Sequence, residues 1–371
     1  MSVLKVVVAA GGTAGHLYPG LSVAEILRSA GGEVLFIGKL NGPEARIVGK
    51  CGFDFKGIRI IGRSRGMVNA RNLRAAIQLV GATASCMATF RSFKPDVVMG
   101  AGGYVSLPAD LAAKLSGIPL VLHEQNAVPG LANRIAGRFA KRIAVGFAGT
   151  EGNFGPKAVL TGNPVRSEIR DMNRHQARTE GLALFGLDSD RRTLLIFGGS
   201  QGALSINRAA LAAFQKLRHT PIQVLHLTGP THVEGINAQL LAAARDRDVV
   251  LWRTFGYLDR MDLAYACADL AICRSGASTI AELAATGLPC LLVPLPVALD
   301  DDQRHNAEVV SAAGGAKVIL DSDLGRTDLS EVVKEIIEDE STLTGMSAGI
   351  ATLDMPDAAV KLANLVVESA A

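Results

Sequence analysis

Residues 269–296 read DLAICRSGASTIAELAATGLPCLLVPLP, and the fold follows from this stretch. Leu270 to Cys273 is a short apolar run that reads as a buried strand, and it stops at Arg274-Ser275-Gly276. A helical pattern runs from Ala277 to Thr286, Gly287-Leu288-Pro289 ends it, and Cys290 to Pro294 reads as a second buried strand. A β–turn–α–turn–β unit of this kind brings the positive end of a helix to the carboxyl edge of a parallel sheet. That edge attracts phosphate. Glu282 stands on an otherwise small and apolar helix face with Ala277, Ile280, Ala281 and Ala284. Two readings of it are open: an acceptor of hydrogen bonds from sugar hydroxyls beside an anion site, or a solvated helix acid.

Outward from this unit, a chain of 371 residues is long for one core, so two domains are expected. At 49% hydrophobic and 20% charged residues the composition is globular, and no apolar run reaches the ~18 residues of a membrane span. The opening MSVLKVVVAAGG turns at glycine without a cleavage-site pattern and reads as a first strand. Cys51, Cys86, Cys267, Cys273 and Cys290 are scattered and mostly lie in apolar runs, which reads as reduced cytoplasmic thiols with neither a disulfide framework nor zinc spacing. The net charge of +3 hides an asymmetry. Residues 1–165 carry 19 Lys/Arg against 8 Asp/Glu (+11), and residues 166–371 carry 19 against 27 (−8). A basic half implies an anionic partner: nucleic acid, a membrane surface or a pyrophosphate substrate. With 5% aromatics and no aromatic interleaving among the basic residues, nucleic acid is the weakest of the three.

Strand and helix signals alternate along both halves. In the first, strands are expected at Leu4–Ala9, Glu33–Ile37, Lys56–Ile61, Asp96–Met99, Pro119–His123, Ile143–Val145 and Ala158–Leu160. Helices are expected from Pro19 to Ser29, Ala70 to Phe93, Leu107 to Leu115 and Leu131 to Phe139. Thr161-Gly162-Asn163-Pro164-Val165-Arg166 marks a domain crossing, giving domains of 1–163 and 164–354, with a terminal helix within 355–371 that can fold back on the first. The second half restarts with Thr193–Phe197, Gly198-Gly199-Ser200-Gln201-Gly202 and a helix from Leu204 to Leu217, then strands at Ile222–Leu227, Val249–Trp252 and Lys317–Leu320. Such alternation is the mark of doubly wound parallel sheets.

Three glycine-rich turns follow strands, at 11–15, 100–103 and 198–202, each able to bring backbone N–H groups close to an anion. None carries G-x-G-x-x-G, the second strand ends at Gly38-Lys39 rather than an acid, and no G-x-x-x-x-G-K-[ST] occurs, so dinucleotide and P-loop readings lose their basis. His16, just after the first turn, reads as a catalytic or phosphate-contacting group, against a plain loop hydrogen bond. His123, Glu124 and Asn126 end a strand at the same edge, where His123 is equally readable as a buried core residue. Asp300-Asp301-Asp302 contains D-x-D but precedes a helical segment, so an N-cap in an acidic loop is the better reading.

Together, GGTAGHLYPGLSVAEIL, GAGGYVSLPADLAAKLSGIPLVLHEQNAVPG, TGNPVR, FGGSQGALSINRA and CRSGASTIAELAATGLPCLLVPLP resemble the MurG-type N-acetylglucosaminyltransferase family over nearly the whole chain. The resemblance implies an α/β GT-B fold, two Rossmann-like doubly wound parallel-sheet domains facing a cleft. It implies inverting transfer of N-acetylglucosamine from UDP-N-acetylglucosamine to the C4 hydroxyl of lipid I (undecaprenyl-pyrophosphoryl-muramyl pentapeptide), giving lipid II, with neither cofactor nor bound metal. It further implies a role in peptidoglycan synthesis, cell shape and division, and a peripheral place on the anionic cytoplasmic face of the inner membrane.

Carried onto this chain, the resemblance assigns the donor to Thr13, Ala14, Gly15, Asn126, Arg166, Ser200, Leu258, the run Ala277, Ser278, Thr279, Ile280, Ala281 and Glu282, and Gln303. Glu282 takes the ribose hydroxyls, Ser200 and the Ser275–Ser278 turn the diphosphate, the backbone at Leu258 the uracil, and Gln303 with Asn306 the sugar. Gly12, Gly102, Gly103 and Tyr104 fall to the acceptor, and His16 is the candidate base. Ala14 replaces a glycine common in the family and fits only with negative φ. A diacylglycerol glycosyltransferase, a UDP-N-acetylglucosamine epimerase and a nucleotide-sugar sensor are the alternatives. The stretch GRSRGMVNARNLRAAIQLV, residues 62–80, concentrates Arg63, Arg65, Arg71 and Arg74 with Leu73, Ile77 and Val80, and no acid occurs between Asp54 and Asp96. It is expected to dock on the membrane unless the apolar residues form a core stripe.

Overall fold

A computed structural model describes residues 3–12, 14–61, 70–245, 248–296 and 301–370. The chain forms two compact units, one of Met1–Arg166 with Met355–Ala371 and the other of Ser167–Asp354.

The first unit contains β1 (Lys5–Ala9), α1 (Ala14–Ser29), β2 (Glu33–Lys39), α2 (Glu44–Lys50), β3 (Asp54–Ile58), α3 (Ala70–Phe93), β4 (Val97–Gly100), α4 (Gly103–Ser116), β5 (Leu120–Glu124), α5 (Leu131–Ala136), β6 (Arg142–Val145) and β7 (Ala158–Leu160). Its seven strands are parallel in the order β3-β2-β1-β4-β5-β6-β7. Both faces are covered, as an all-parallel sheet requires. One side buries Val6, Val8, Phe36 and Met99 against Leu17, Leu21 and Leu27 of α1; the other buries Val7, Ile37 and Val98 against Cys86 and Phe90 of α3 and Ala109 and Ala112 of α4.

The second unit contains α6 (Ser167–Arg170), α7 (Arg174–Phe185), β8 (Arg192–Phe197), α8 (Leu204–Leu217), β9 (Ile222–Leu227), α9 (Val233–Ala243), β10 (Leu251–Phe255), α10 (Met261–Cys267), β11 (Leu270–Cys273), α11 (Ala277–Thr286), β12 (Cys290–Leu292), α12 (Asp302–Ala312), β13 (Ala316–Val318), α13 (Leu329–Ile337) and α14 (Glu340–Ala351). Its six parallel strands run β10-β9-β8-β11-β12-β13, which is the Rossmann order 3-2-1-4-5-6. The last helix, α15 (Ala358–Ala370), returns to the first unit. Leu362 and Val366 are fully buried there beside α1, and Lys141 Nζ donates to the Ser369 carbonyl at 3.0 Å.

In each sheet the strand order reverses beside the first strand, between β1 and β4 and between β8 and β11. At such a switch point the loops leaving the two strands diverge and open a crevice at the carboxyl edge, where ligands bind in this class of fold. The glycine turns at 11–15 and 100–103 leave the first pair, and those at 198–202 and 274–276 leave the second.

Some boundaries differ from the sequence reading. α1 begins at Ala14, so Pro19 lies inside the helix rather than opening it. The bond that Pro19 cannot make would go to the Gly15 carbonyl in the first turn. α4 likewise starts at Gly103, with Pro108 inside it. The helical segment read after Asp300-Asp301-Asp302 starts within that triplet, at Asp302. Asp301 does stand at its N-cap, but with φ +53° and no capping bond from its side chain; Asp302 Oδ1 instead accepts from Gln303 N–H at 2.9 Å. Asp300 lies outside the described residues.

Candidate functional site

The second unit's switch point is built around Arg274. Its Nη1 donates to the carbonyls of Val293 and Pro294 at 3.1 Å each and to Asp321 Oδ2 at 2.6 Å, and its Nη2 donates to Ser205 Oγ at 2.9 Å. One planar, always-charged fork thus ties the exits of β11 and β12 to the first turn of α8. The turn then runs through Ser275, which is fully buried and donates from Oγ to the Gln303 carbonyl at 2.6 Å. Asn306, also fully buried, donates from Nδ2 to the Ser275 carbonyl at 3.2 Å, and Gln303 Oε1 accepts from Leu295 N–H at 3.1 Å. These bonds fix the start of α11. Gly276 is its N-cap and, being glycine, offers no side-chain oxygen of its own to the helix's first amides. A helix N-terminus at a switch point is suited to an anion.

Glu282 lies on α11 and is 8% exposed. A solvated helix acid is therefore excluded. Tyr265 of α10, itself buried, donates its hydroxyl to Glu282 Oε2 at 2.8 Å. A carboxylate set in so apolar a helix needs such donors to offset its desolvation. Ala277 and Ile280 are buried, whereas Ser278, Thr279 and Ala281 keep partial exposure. Ser200 is exposed in the turn after β8, and Leu258 is half-buried in the turn before α10. Sequence reading passed over Tyr265 and Arg274. A lone Arg at the exit of an apolar strand was the available signal for the second; nothing local marks the first.

In the first unit, the turns after β1 and β4 meet over His16. A Cβ at Gly102 would stand 3.3 Å from His16 Cδ2, and one at Gly103 3.4 Å from Cε1. Both glycines have positive φ, +80° and +75°, so neither position accepts a side chain readily. Ala14 opens α1 in right-handed helical backbone, so it meets the condition of negative φ. Thr13 lies outside the described residues. Tyr104 is 38% exposed at the start of α4. His16 keeps part of its surface open, yet its packing lowers its pKa to about 4 through loss of hydration. It is thus a neutral imidazole at neutral pH.

His123 is fully buried with its pKa also lowered to about 4 by burial, and it belongs to the core. Glu124 is 1% exposed and scaffolds the loop after β5. Its Oε1 accepts from Asn126 N–H at 2.9 Å, and its Oε2 accepts from Gly130 N–H at 3.1 Å and from Asn133 Nδ2 at 2.9 Å. Asn126 is held at the edge by this carboxylate. Arg166 stacks on Tyr18, its guanidinium carbon 4.6 Å from the ring centroid.

On α3, Ile77 and Val80 are 66% and 71% exposed and Arg74 is exposed. The core-stripe reading of those two apolar residues is overturned, because the helix turns them to solvent and buries Cys86 and Phe90 further along. Arg63, Arg65 and Met67 lie outside the described residues, as do the side chains of Arg71 and Leu73. Among the described residues no group of three or more His, Cys, Asp or Glu is placed to hold a metal ion, and no helix is long and apolar enough to cross a membrane.

Residues 6–145 match the glycosyltransferase family 28 N-terminal domain, and residues 193–362 match the family's C-terminal domain. With two doubly wound units, each carrying a glycine turn at its switch point, the chain is a hexosyltransferase of the GT-B class. A relative from Halothermothrix orenii is 39% identical over 388 aligned residues, covering 99% of each chain, and is named UDP-N-acetylglucosamine--N-acetylmuramyl-(pentapeptide) pyrophosphoryl-undecaprenol N-acetylglucosamine transferase. The crystal structure of Acinetobacter baumannii MurG matches 99% of this chain and 100% of its own, with a TM-score of 0.77 and 29% identity. A UDP-GlcNAc 2-epimerase from Neisseria meningitidis also aligns, with a TM-score of 0.69, but at 13% identity it shares the fold alone. The chain belongs to the MurG family of N-acetylglucosamine transferases.

If His16 is the base, its lowered pKa sets the acid limb of kcat/KM near pH 4: the imidazole loses base function only as pH falls through that value. His16→Ala should lower kcat by about 10²-fold or more. Near-normal turnover of that variant, or an acid limb near pH 4 that survives in it, removes His16 from proton transfer; an acid limb near 6.5 that disappears in it contradicts the lowered pKa.

Proposed function

We propose that this protein transfers N-acetylglucosamine from UDP-N-acetylglucosamine to the muramyl C4 hydroxyl of lipid I, with inversion, giving lipid II for peptidoglycan synthesis. The observation that carries the reading is the match to a named transferase of this activity along 99% of both chains, the basic first half included. An epimerase acting on the nucleotide sugar alone has no need of a second, lipid-linked substrate, and a non-catalytic sensor none of His16.

In this reading the second unit takes the donor. The start of α11 and Ser200 receive the diphosphate, Glu282 the ribose hydroxyls, the backbone near Leu258 the uracil, and Gln303 with Asn306 the sugar. The first unit takes the acceptor's pyrophosphate on the turns that contain Gly12, Gly102 and Gly103. The acceptor hydroxyl attacks the anomeric carbon as the bond to UDP breaks, and His16 accepts the hydroxyl proton. The helix N-terminus, Ser200 and Arg166 stabilise charge on the departing diphosphate. The test is incubation with labelled UDP-N-acetylglucosamine, with and without a short-chain lipid I analogue. A labelled disaccharide lipid and free UDP are expected only when the analogue is present. Epimerised donor, or transfer to diacylglycerol but not to the analogue, contradicts the reading.

The acceptor's polyprenyl tail stays in lipid during the reaction, so the first unit has to meet the membrane. We place that contact on residues 62–80, at the cytoplasmic face of the inner membrane, which makes the enzyme a peripheral one. The exposed Ile77 and Val80 beside Arg74, in a stretch free of acids, support this placement. Basic residues near an anionic leaflet contribute about 1 kcal/mol each, screened by salt. Flotation on anionic liposomes at low salt should recover the wild type, and recovery should fall sharply when Arg63, Arg65, Arg71 and Arg74 are all changed to Gln. Equal recovery of the two proteins removes this surface as the docking face.

A further inference from the structure

Glu44, the first residue of α2, is 2% exposed in a half of the chain whose charge is strongly positive, yet it forms no ion pair among the described residues. Its Oε1 accepts the Gly12 N–H at 2.6 Å, across 32 residues of sequence, and its Oε2 is buried without a hydrogen-bond partner. A socket is shaped for this carboxylate by two separate loops. A Cβ on Gly11 would lie 2.6 Å from Oε1, and a Cβ on Gly42 only 1.6 Å from Oε2. Any side chain at either glycine would displace it. Gly12 itself has φ +88°, a backbone state with no strand or helix partner to hold it.

We propose that Glu44 is a positioning residue for the glycine turn after β1. By holding the Gly12 amide inward, it fixes the path of the backbone into α1 and so sets where the following amides and His16 stand against Gly102 and Gly103. One consequence is that the Gly12 amide is already engaged by a carboxylate. The inference rests on the reading that this turn serves the acceptor's pyrophosphate. In this reading Glu44 acts through the Gly12 amide.

The test compares Glu44→Ala and Glu44→Gln in the full-length protein, using a short-chain lipid I analogue, with UDP binding and thermal melting measured alongside. Glutamine keeps an oxygen able to accept from Gly12, whereas alanine does not. In Glu44→Ala, kcat/KM for the acceptor should fall about tenfold or more, the loss of one hydrogen bond to a charged group, with UDP affinity unchanged. Glu44→Gln should restore most of that loss. A Glu44→Ala enzyme within twofold of wild type overturns the proposal, and so does equal impairment of the two variants, which would assign the effect to charge rather than to the hold on Gly12. If Glu44→Ala does not fold, Glu44→Gln decides alone: near-wild-type acceptor kcat/KM supports the positioning role, and a tenfold loss overturns it. A defect confined to the donor KM and repaired in Glu44→Gln leaves Glu44's hold on the turn standing and overturns the assignment of that turn to the acceptor.

Discussion

Each sheet in this protein must pass from strand to helix within a few residues at its carboxyl edge, and the sites depend on how little room that leaves. At Gly202, φ is +74° and a Cβ would stand 2.0 Å from the Thr228 carbonyl oxygen, so the turn after β8 closes directly onto the turn after β9. Only glycine permits that approach. The result is that helix starts are gathered at the edge where the strand order reverses. Backbone donors in such positions favour anions without a metal.

Turns placed in this way have to be held still, and buried polar side chains do it. Arg274 ties the exits of β11 and β12 to α8 and Asp321. Glu124 collects the amides of Asn126 and Gly130, and Glu44 collects that of Gly12. Glu282 accepts from a side-chain hydroxyl, that of Tyr265.

The fold was legible where apolar period and punctuation agreed. Leu270–Cys273, Ala277–Thr286, Ala70–Phe93 and Leu204–Leu217 keep the bounds that the sequence suggests, because each apolar run ends at a turn-forming residue or a shift in pattern. α7 and α9 were not legible: α7 buries only Ala177, Gly181 and Phe185, too sparse a stripe to read. Pro19 and Pro108 misled because each stands sixth in its helix, one turn beyond the position where a proline costs no hydrogen bond, so each helix starts earlier than its proline suggests. The site was legible as residue types in turns. Its supports were not. Glu44 looks like any first-turn acid until Gly11 and Gly42 are seen to close around it, and Tyr265 is 17 residues from the carboxylate it holds.

The central claim is that Glu282, held on α11 close to that helix's start, reads the ribose of a uridine diphosphate sugar. Calorimetric titration of UDP, 2′-deoxy-UDP and 3′-deoxy-UDP into the wild type and into Glu282→Ala tests it most directly. Each hydroxyl bonded to a carboxylate is worth about 1.5–3 kcal/mol, so each deoxy ligand should bind the wild type about tenfold or more weakly than UDP. The Glu282→Ala protein should bind all three alike, with its fold retained. Equal affinities in the wild type, or a preference for UDP that survives in Glu282→Ala, would contradict the claim and leave Glu282 as no more than the partner of Tyr265.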